Sequence, residues 1–272
     1  MDFSLWATFA PVLTHRYLMG FHSKRGHDHT FGRGSNAWKY ATVNNAAYEY
    51  YSECHRTGIT PPPDGLKIWV WRDAVSSSTP MLRRIWRPIG RNSHSAWSNF
   101  FSNIGVGLPF TVLNTVLKIL EPDITLGTKN KGSLGIYEHV NHELSHASHF
   151  RQAGSYYWSK YIDYIITYGA YGDGHGNNSG ICGVGEMWGF AMGYIQVYEK
   201  YNYSFPEQIN DYYWFKPKII WDIYINGILT KKQIFDCLTR DVKSHEQLKQ
   251  SLITRYPGKK YDIIKIFNDY GF

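Results

Sequence analysis

Residues of one helical face recur at three- and four-residue spacing from Asn36 to Arg56, at Ala37, Tyr40, Ala41, Asn44, Ala47, Tyr48 and Tyr51. That spacing predicts a helix, and Gly58 ends it. Pro61-Pro62-Pro63-Asp64-Gly65 reads as a turn or a short stiff spacer. Leu66 to Trp71 is rich in β-branched and aromatic residues, which predicts a strand. Residues 72 to 108 mix Ser, Pro, Gly and Arg and predict no regular element. Phe110 to Leu120 reads as a helix, and Pro122 to Gly127 (PDITLG) as a short strand. From Ser133 onward the pattern is helical: Ile136 to Gln152, Tyr156 to Tyr168 and Glu186 to Tyr201, then about 216–226, 231–240, 245–255 and 260–269. Thr230 and Ser244 are placed to cap two of the later helices. Residues 22–36 are polar and residues 169–185 hold seven glycines, so both read as loops. The chain is expected to be an α+β fold, mostly helical. It reads as one domain of two lobes, about 1–153 with the strands and about 154–272 all helical.

Composition narrows the class. Hydrophobic residues make up 43% and charged residues 19%, which excludes disorder over most of the 272 residues. A chain of this length can bury a large core without disulfides. The three cysteines, Cys54, Cys182 and Cys237, are too few and too scattered for a thiolate zinc site. No apolar run is long enough to span a bilayer, since Ile104 to Leu120 is broken by Pro109, Asn114 and Lys118. The apolar stretch from Phe3 to Leu13 lacks the flanks of a signal peptide. The composition, rich in aromatics, Asn and Tyr, leans toward an exported or cell-envelope protein.

The candidate chemistry starts at His142-Glu143-Leu144-Ser145-His146. Residues i and i+4 of a helix lie one above the other, so both imidazoles can reach one metal ion. Glu143 is rotated by about 100°, beside the metal but free to take a proton from the attacking water. His142 and His146 are therefore the expected ligands and Glu143 the expected general base. A catalytic zinc needs a third protein ligand. Glu186 is the expected one, because it sits among Trp188, Phe190, Met192, Tyr194, Ile195 and Val197 on a helix apolar nearly all round. A carboxylate buried there is costly without a cation. The competing reading of Glu186 is a carboxylate at a helix N-terminus, favoured by the dipole. His175 in the glycine-rich loop is an alternative ligand. His149 is another, though an unbroken helix carries its ring away from the site.

HELSH followed by a helical glutamate in GEMWGFA resembles the gluzincin branch of the zincin metallopeptidases, over roughly residues 120 to 200. The resemblance implies a small mixed sheet, an active-site helix with His142, Glu143 and His146, and a later helix with Glu186. It also implies zinc as cofactor, a peptide or protein substrate, and an edge strand that pairs with extended substrate, for which PDITLG is the candidate. Thermolysin-like members carry Asp four residues after the ligand Glu, where this chain has Phe190. The expected activity is endopeptidase-like hydrolysis. The oxyanion donor is left open among His175, Tyr168, Tyr171 and Tyr194.

Two other classes compete. One is a non-catalytic binding module of zincin-like shape. The other is a polyanion-binding protein, since the net charge is +7 and Lys67, Arg72, Arg83, Arg84, Arg87 and Arg91 alternate with Trp69, Trp71 and Trp86. No nucleic-acid-binding motif accompanies that run, so nucleic acid is not the expected partner. Asp173, Asn177 and Asn178 match no strong calcium motif, and no phosphate-cradling Gly-Lys-Ser/Thr is present.

Overall fold

The structure, a computed structural model, describes residues 3–6, 30–89, 121–169 and 171–272. Among these residues three short strands, β1 (Phe3–Trp6), β2 (Leu66–Trp71) and β3 (Ile124–Gly127), lie in that order. Both strand pairs are parallel, with Ile68 opposite Leu5 and Ile124. A strand in the middle of a parallel sheet has both faces covered, so β2 reads as a nearly continuous apolar run. A mixed sheet was expected. Among the described residues the antiparallel contact is an isolated bridge between Ser78 and Thr125. Parallel neighbours need a long crossover, and α1 (Asn36–Thr57) lies in the one between β1 and β2. At four residues, β1 is too short to display a period, so the sequence shows it only as an apolar stretch.

Ser35 caps α1 by accepting from Trp38 N at 3.1 Å, and Gly58 closes it at φ 79°. The stretch read as irregular contains α2 (Leu82–Ile89). The helical half follows as α3 (Ser133–Ala153), α4 (Ser155–Tyr168), α5 (Ser179–Tyr201), α6 (Glu207–Tyr212), α7 (Lys218–Ile225), α8 (Lys231–Phe235), α9 (His245–Arg255) and α10 (Lys260–Asp269). Thr230 forms a capping box with Gln233, and Ser244 accepts from Gln247 N at 3.1 Å, as their residue types predict. Gly154, at φ 89°, separates α3 from α4. The expected helix over Phe110 to Leu120 lies outside the described residues.

The glycine-rich stretch is a loop only as far as Asn178. Its second half is the start of α5, two turns earlier than periodicity indicates. Each glycine weakens a helix by about 1 kcal/mol, but these glycines meet neighbours that admit no side chain. A Cβ at Gly180 would lie 2.2 Å from Lys243 O, and one at Gly183 would lie 2.8 Å from Trp214 and His245. Packing overrides propensity here.

α3 lies between α1 and α5, and every residue from Val140 to Phe150 is buried. On one side Tyr50 of α1 donates to Ser148 Oγ at 3.0 Å. On the other, Gly185, Gly189 and Gly193 of α5 repeat at one-turn intervals. Two of them let α5 close on α3: a Cβ at Gly189 would lie 2.7 Å from His146 Nε2, and one at Gly193 would lie 2.7 Å from Glu138 Oε1. Buried apolar residues from α1 through α10 form one contiguous cluster. Cys54, Cys182 and Cys237 are buried free thiols, and burial pushes Cys54 up to about 12. Among the described residues, no helix is long and apolar enough to cross a membrane.

Candidate metal centre

α3 points His142 and His146 at α5, with their Nε2 atoms 3.0 Å apart. Glu186 of α5 completes a triangle: its Oε2 lies 3.4 Å from His142 Nε2 and 3.5 Å from His146 Nε2. A tetrahedral centre with donors about 2.1 Å away spaces them about 3.4 Å apart, so the three atoms fit one small cation. His142, Glu143 and His146 are buried together, with ligand atoms within 4.8 Å of one another, and could hold a metal ion. Of the three carboxylates near the imidazoles, Glu138, Glu143 and Glu186, the last has a fully buried oxygen without a hydrogen bond. Its Oε2 is buried without a hydrogen-bond partner, whereas Glu143 Oε2 accepts from Thr79 Oγ1 at 2.7 Å. Such an orphaned acceptor is costly unless a cation meets it.

Glu186 stands on the third turn of α5, so it is not the helix-terminal carboxylate of the competing reading. Its other oxygen, Oε1, accepts from Tyr161 of α4. The Thr79 hydroxyl bonds both the carboxylate and the main-chain carbonyl of Glu143, at 2.7 and 2.9 Å, and Trp158 Nε1 donates to Thr79 O at 3.1 Å. Phe190 packs edge-on against His142 at 4.6 Å. The carboxylate facing the His142 Nδ1 side is buried Glu138, whose Oε1 is 3.9 Å from it, one turn back on the same helix. Tyr161, Thr79 and Glu138 carried no signal in the sequence.

Charge is arranged unevenly. Burial opposes a charge on His142, but the carboxylates of Glu186 and Glu143 push it up to about 9. Burial lowers His146. Burial works to raise Glu186, yet the two imidazoles draw it down to about 2. Burial raises Glu143 to about 7, against the pull of His142 and of the Thr79 hydroxyl.

The cavity over this group is about 110 Å³. Ser76 to Pro80, Tyr161, Ile162, Ile165 and Tyr171 wall it together with His142, Glu143, His146 and Glu186. PDITLG was expected to present a free edge to substrate. Thr125 is instead already paired with Ser78 through both main-chain bonds, at 2.8 and 2.9 Å, so the segment around Ser78 faces the cavity in its place.

The remaining candidates scatter. His175 is exposed in the loop after α4 and is not part of the cavity wall. His149 is wholly buried one turn beyond His146, between Tyr157 and Trp158, and burial lowers it to about 3. Of the four oxyanion-donor candidates, Tyr171 lines the cavity, while Tyr194 packs on Phe205 and Tyr168 is 45% exposed. In the basic-aromatic run Trp69 and Trp71 are buried against each other. Arg72 pairs with Asp73, and Arg83 and Arg84 both pair with Asp123. Arg91 and the side chains of Trp86 and Arg87 lie outside the described residues. No protein-family model, curated protein or solved structure matches this chain.

Proposed function

We propose that the chain is a zinc-dependent peptidase in which His142, His146 and Glu186 hold the metal and Glu143 is the general base. The observation that carries this reading is the convergence of the two Nε2 atoms and the orphaned Glu186 Oε2 within 3.5 Å of one another. Two imidazoles and one carboxylate suit zinc. Zinc held there supplies Lewis acidity, polarising a peptide carbonyl and bringing the pKa of water to about 7. Glu143 accepts the proton of the attacking water and returns it to the leaving amine. Thr79 keeps the Glu143 carboxylate turned to the cavity, and Tyr161 fixes the rotamer of Glu186. The main chain from Ser76 to Thr79 is the wall an extended peptide follows. Tyr171 is the oxyanion donor best placed in that wall.

The test is bound metal and peptide cleavage in wild type, Glu143→Gln and Glu186→Gln. Glu143→Gln keeps its metal and loses at least a hundredfold in kcat. Glu186→Gln binds metal at least tenfold more weakly. Undiminished metal affinity in Glu186→Gln removes it from the ligand set, and an active Glu143→Gln removes the general base.

A second reading is favoured by the size of the cavity. At about 110 Å³ it is smaller than most ligand pockets, which run from about 300 Å³ upward. A zincin-like module that binds metal without turnover fits that space. It predicts tight zinc binding and no cleavage of any peptide library at saturating zinc.

A further inference from the structure

A second cavity, of about 480 Å³, opens beside the first, and Tyr171 lines both. It is lined by Tyr168, Tyr171, Tyr212, Tyr213 and Trp214, and Asp173 is the one charged residue among its described lining residues. Tyr212 is 81% exposed and Tyr168 is 45% exposed. Rings of that size leave water favourably, so a cluster of them held open at a cavity mouth marks a binding surface.

The wall is held in shape before any ligand arrives. Trp214 Nε1 donates to Tyr171 O at 2.9 Å. Tyr171 meets Tyr213 edge-on at 5.2 Å, and Tyr212 meets Tyr213 edge-on at 4.9 Å. Gly174, at φ 87°, lets the loop lie on the Trp214 ring, where a Cβ would come within 2.8 Å. Asp173 Oδ1 accepts from His175 N at 3.0 Å, which anchors the carboxylate. A rigid wall loses little entropy on binding.

The ring faces carry negative potential and so does the carboxylate. An anion is repelled. A neutral ring could stack but would leave Asp173 unused. An alkylammonium or guanidinium group satisfies both, resting its stem on the rings and its charge near the carboxylate. We propose that this cavity binds the cationic side chain of a lysine or arginine in a peptide. Peptides bearing such a residue beside the scissile bond are then the substrates of the adjoining metal site, a consequence that rests on the peptidase reading above.

The test uses the full chain and two probes of equal shape, N-acetylarginine amide and N-acetylcitrulline amide, titrated against tryptophan fluorescence. The arginine probe binds about tenfold tighter than the neutral citrulline probe. Asp173→Asn erases most of that margin, and Tyr212→Ala weakens the arginine probe about fivefold. Both residues are exposed, and circular dichroism checks that both variants keep the fold. Equal affinity for the two probes, or an unchanged margin in Asp173→Asn, overturns the proposal, as does tighter binding of a neutral oligosaccharide. Binding needs no turnover, so the two readings fail separately. A protein that prefers the arginine probe yet cleaves nothing loses the peptidase reading and keeps the cavity. A protein that cleaves peptides yet shows no preference for the arginine probe keeps the peptidase reading and loses the cavity.

Discussion

Gly189 shows how far one missing side chain decides the centre. It stands one turn after Glu186 on α5, directly over the donor ends of the imidazoles. A Cβ there would sit 2.7 Å from His146 Nε2 and 3.0 Å from His142 Nε2. Those distances are too short for carbon against nitrogen, so the rings must turn or the helices must part. Overpacking of this kind costs about 1–3 kcal/mol, which exceeds the gain of about 1 kcal/mol in helix propensity from Gly to Ala. Gly189→Ala is therefore expected to bind metal at least tenfold more weakly and to gain no thermal stability. Competition with a chromophoric chelator measures the first, and calorimetry of the metal-free protein the second. In the sequence, GEMWGFA displays this glycine without its reason, because what it makes room for lies on another helix. Thr79 and Tyr161 were illegible for the same cause. A lone threonine in an aperiodic stretch, and one tyrosine among 22, acquire roles only through partners 64 and 25 residues away.

Between residue and element stands Asp123, which immediately precedes β3 and is fully buried. Its carboxylate accepts from Lys67 N at 3.0 Å, Arg83 Nη2 at 2.9 Å and Arg84 Nε at 3.1 Å, while its carbonyl accepts from Met81 N at 3.0 Å. One side chain thus ties β2, β3 and α2 together and holds the segment that carries Thr79 against the sheet. Both arginines keep partial contact with water, with side chains 35% and 23% exposed, which tempers the cost of stranding them. Asp123→Ala should destabilise the fold by about 2 kcal/mol in urea denaturation. It should also speed hydrogen exchange at the Ser78 and Thr125 amides, which bond each other's carbonyls. Elements with a long period or a strong cap were legible: α1, α3, α4, α9 and α10 fall within a few residues of the spans their patterns predict. The strands β2 and β3 were legible from their β-branched runs. The short elements β1, α2 and α6 were not: β1 (FSLW) holds no β-branched residue, α2 lies within a stretch that mixes Ser, Pro, Gly and Arg, and α6 shows neither a clear helical period nor a capping side chain. The first turns of α5 were hidden behind glycines that elsewhere mark loops. The pair His142 and His146 was legible because a single helix supplies the spacing, and Glu186 stood out because a carboxylate in an apolar run is anomalous; that its Oε2 comes within 3.5 Å of both imidazoles is a matter of tertiary packing.

Across the whole molecule, acid sensitivity follows from imidazoles held neutral. His245 at the start of α9 is buried, with Nε2 3.1 Å from Phe215 O and its ring stacked on Phe272 at 4.0 Å. Burial lowers it to about 4, against the contribution of the Phe215 carbonyl. In the unfolded chain it titrates near 6.5. Between those values the unfolded chain binds more protons, so its contribution to stability is complete above about 6.5, falls as pH falls, and is gone below about 4. The loss from pH 7 to pH 4.5 is of order 2 kcal/mol for this residue. His149, fully buried and lowered to about 3 by that burial, adds a loss of the same sign. Urea midpoints of metal-free protein at the two pH values should therefore fall less in His245→Phe than in wild type, and equal slopes would refute the assignment. The three sequestered thiols have a practical corollary. Cys54 sits in α1, Cys182 in α5 and Cys237 just after α8, and no disulfide ties them. An alkylating reagent reaches each sulfur only while the segment that carries it is parted from the rest. The three labelling rates thus time, separately and without any engineered probe, how often the two flanks of the central helix and the carboxyl-terminal bundle come loose.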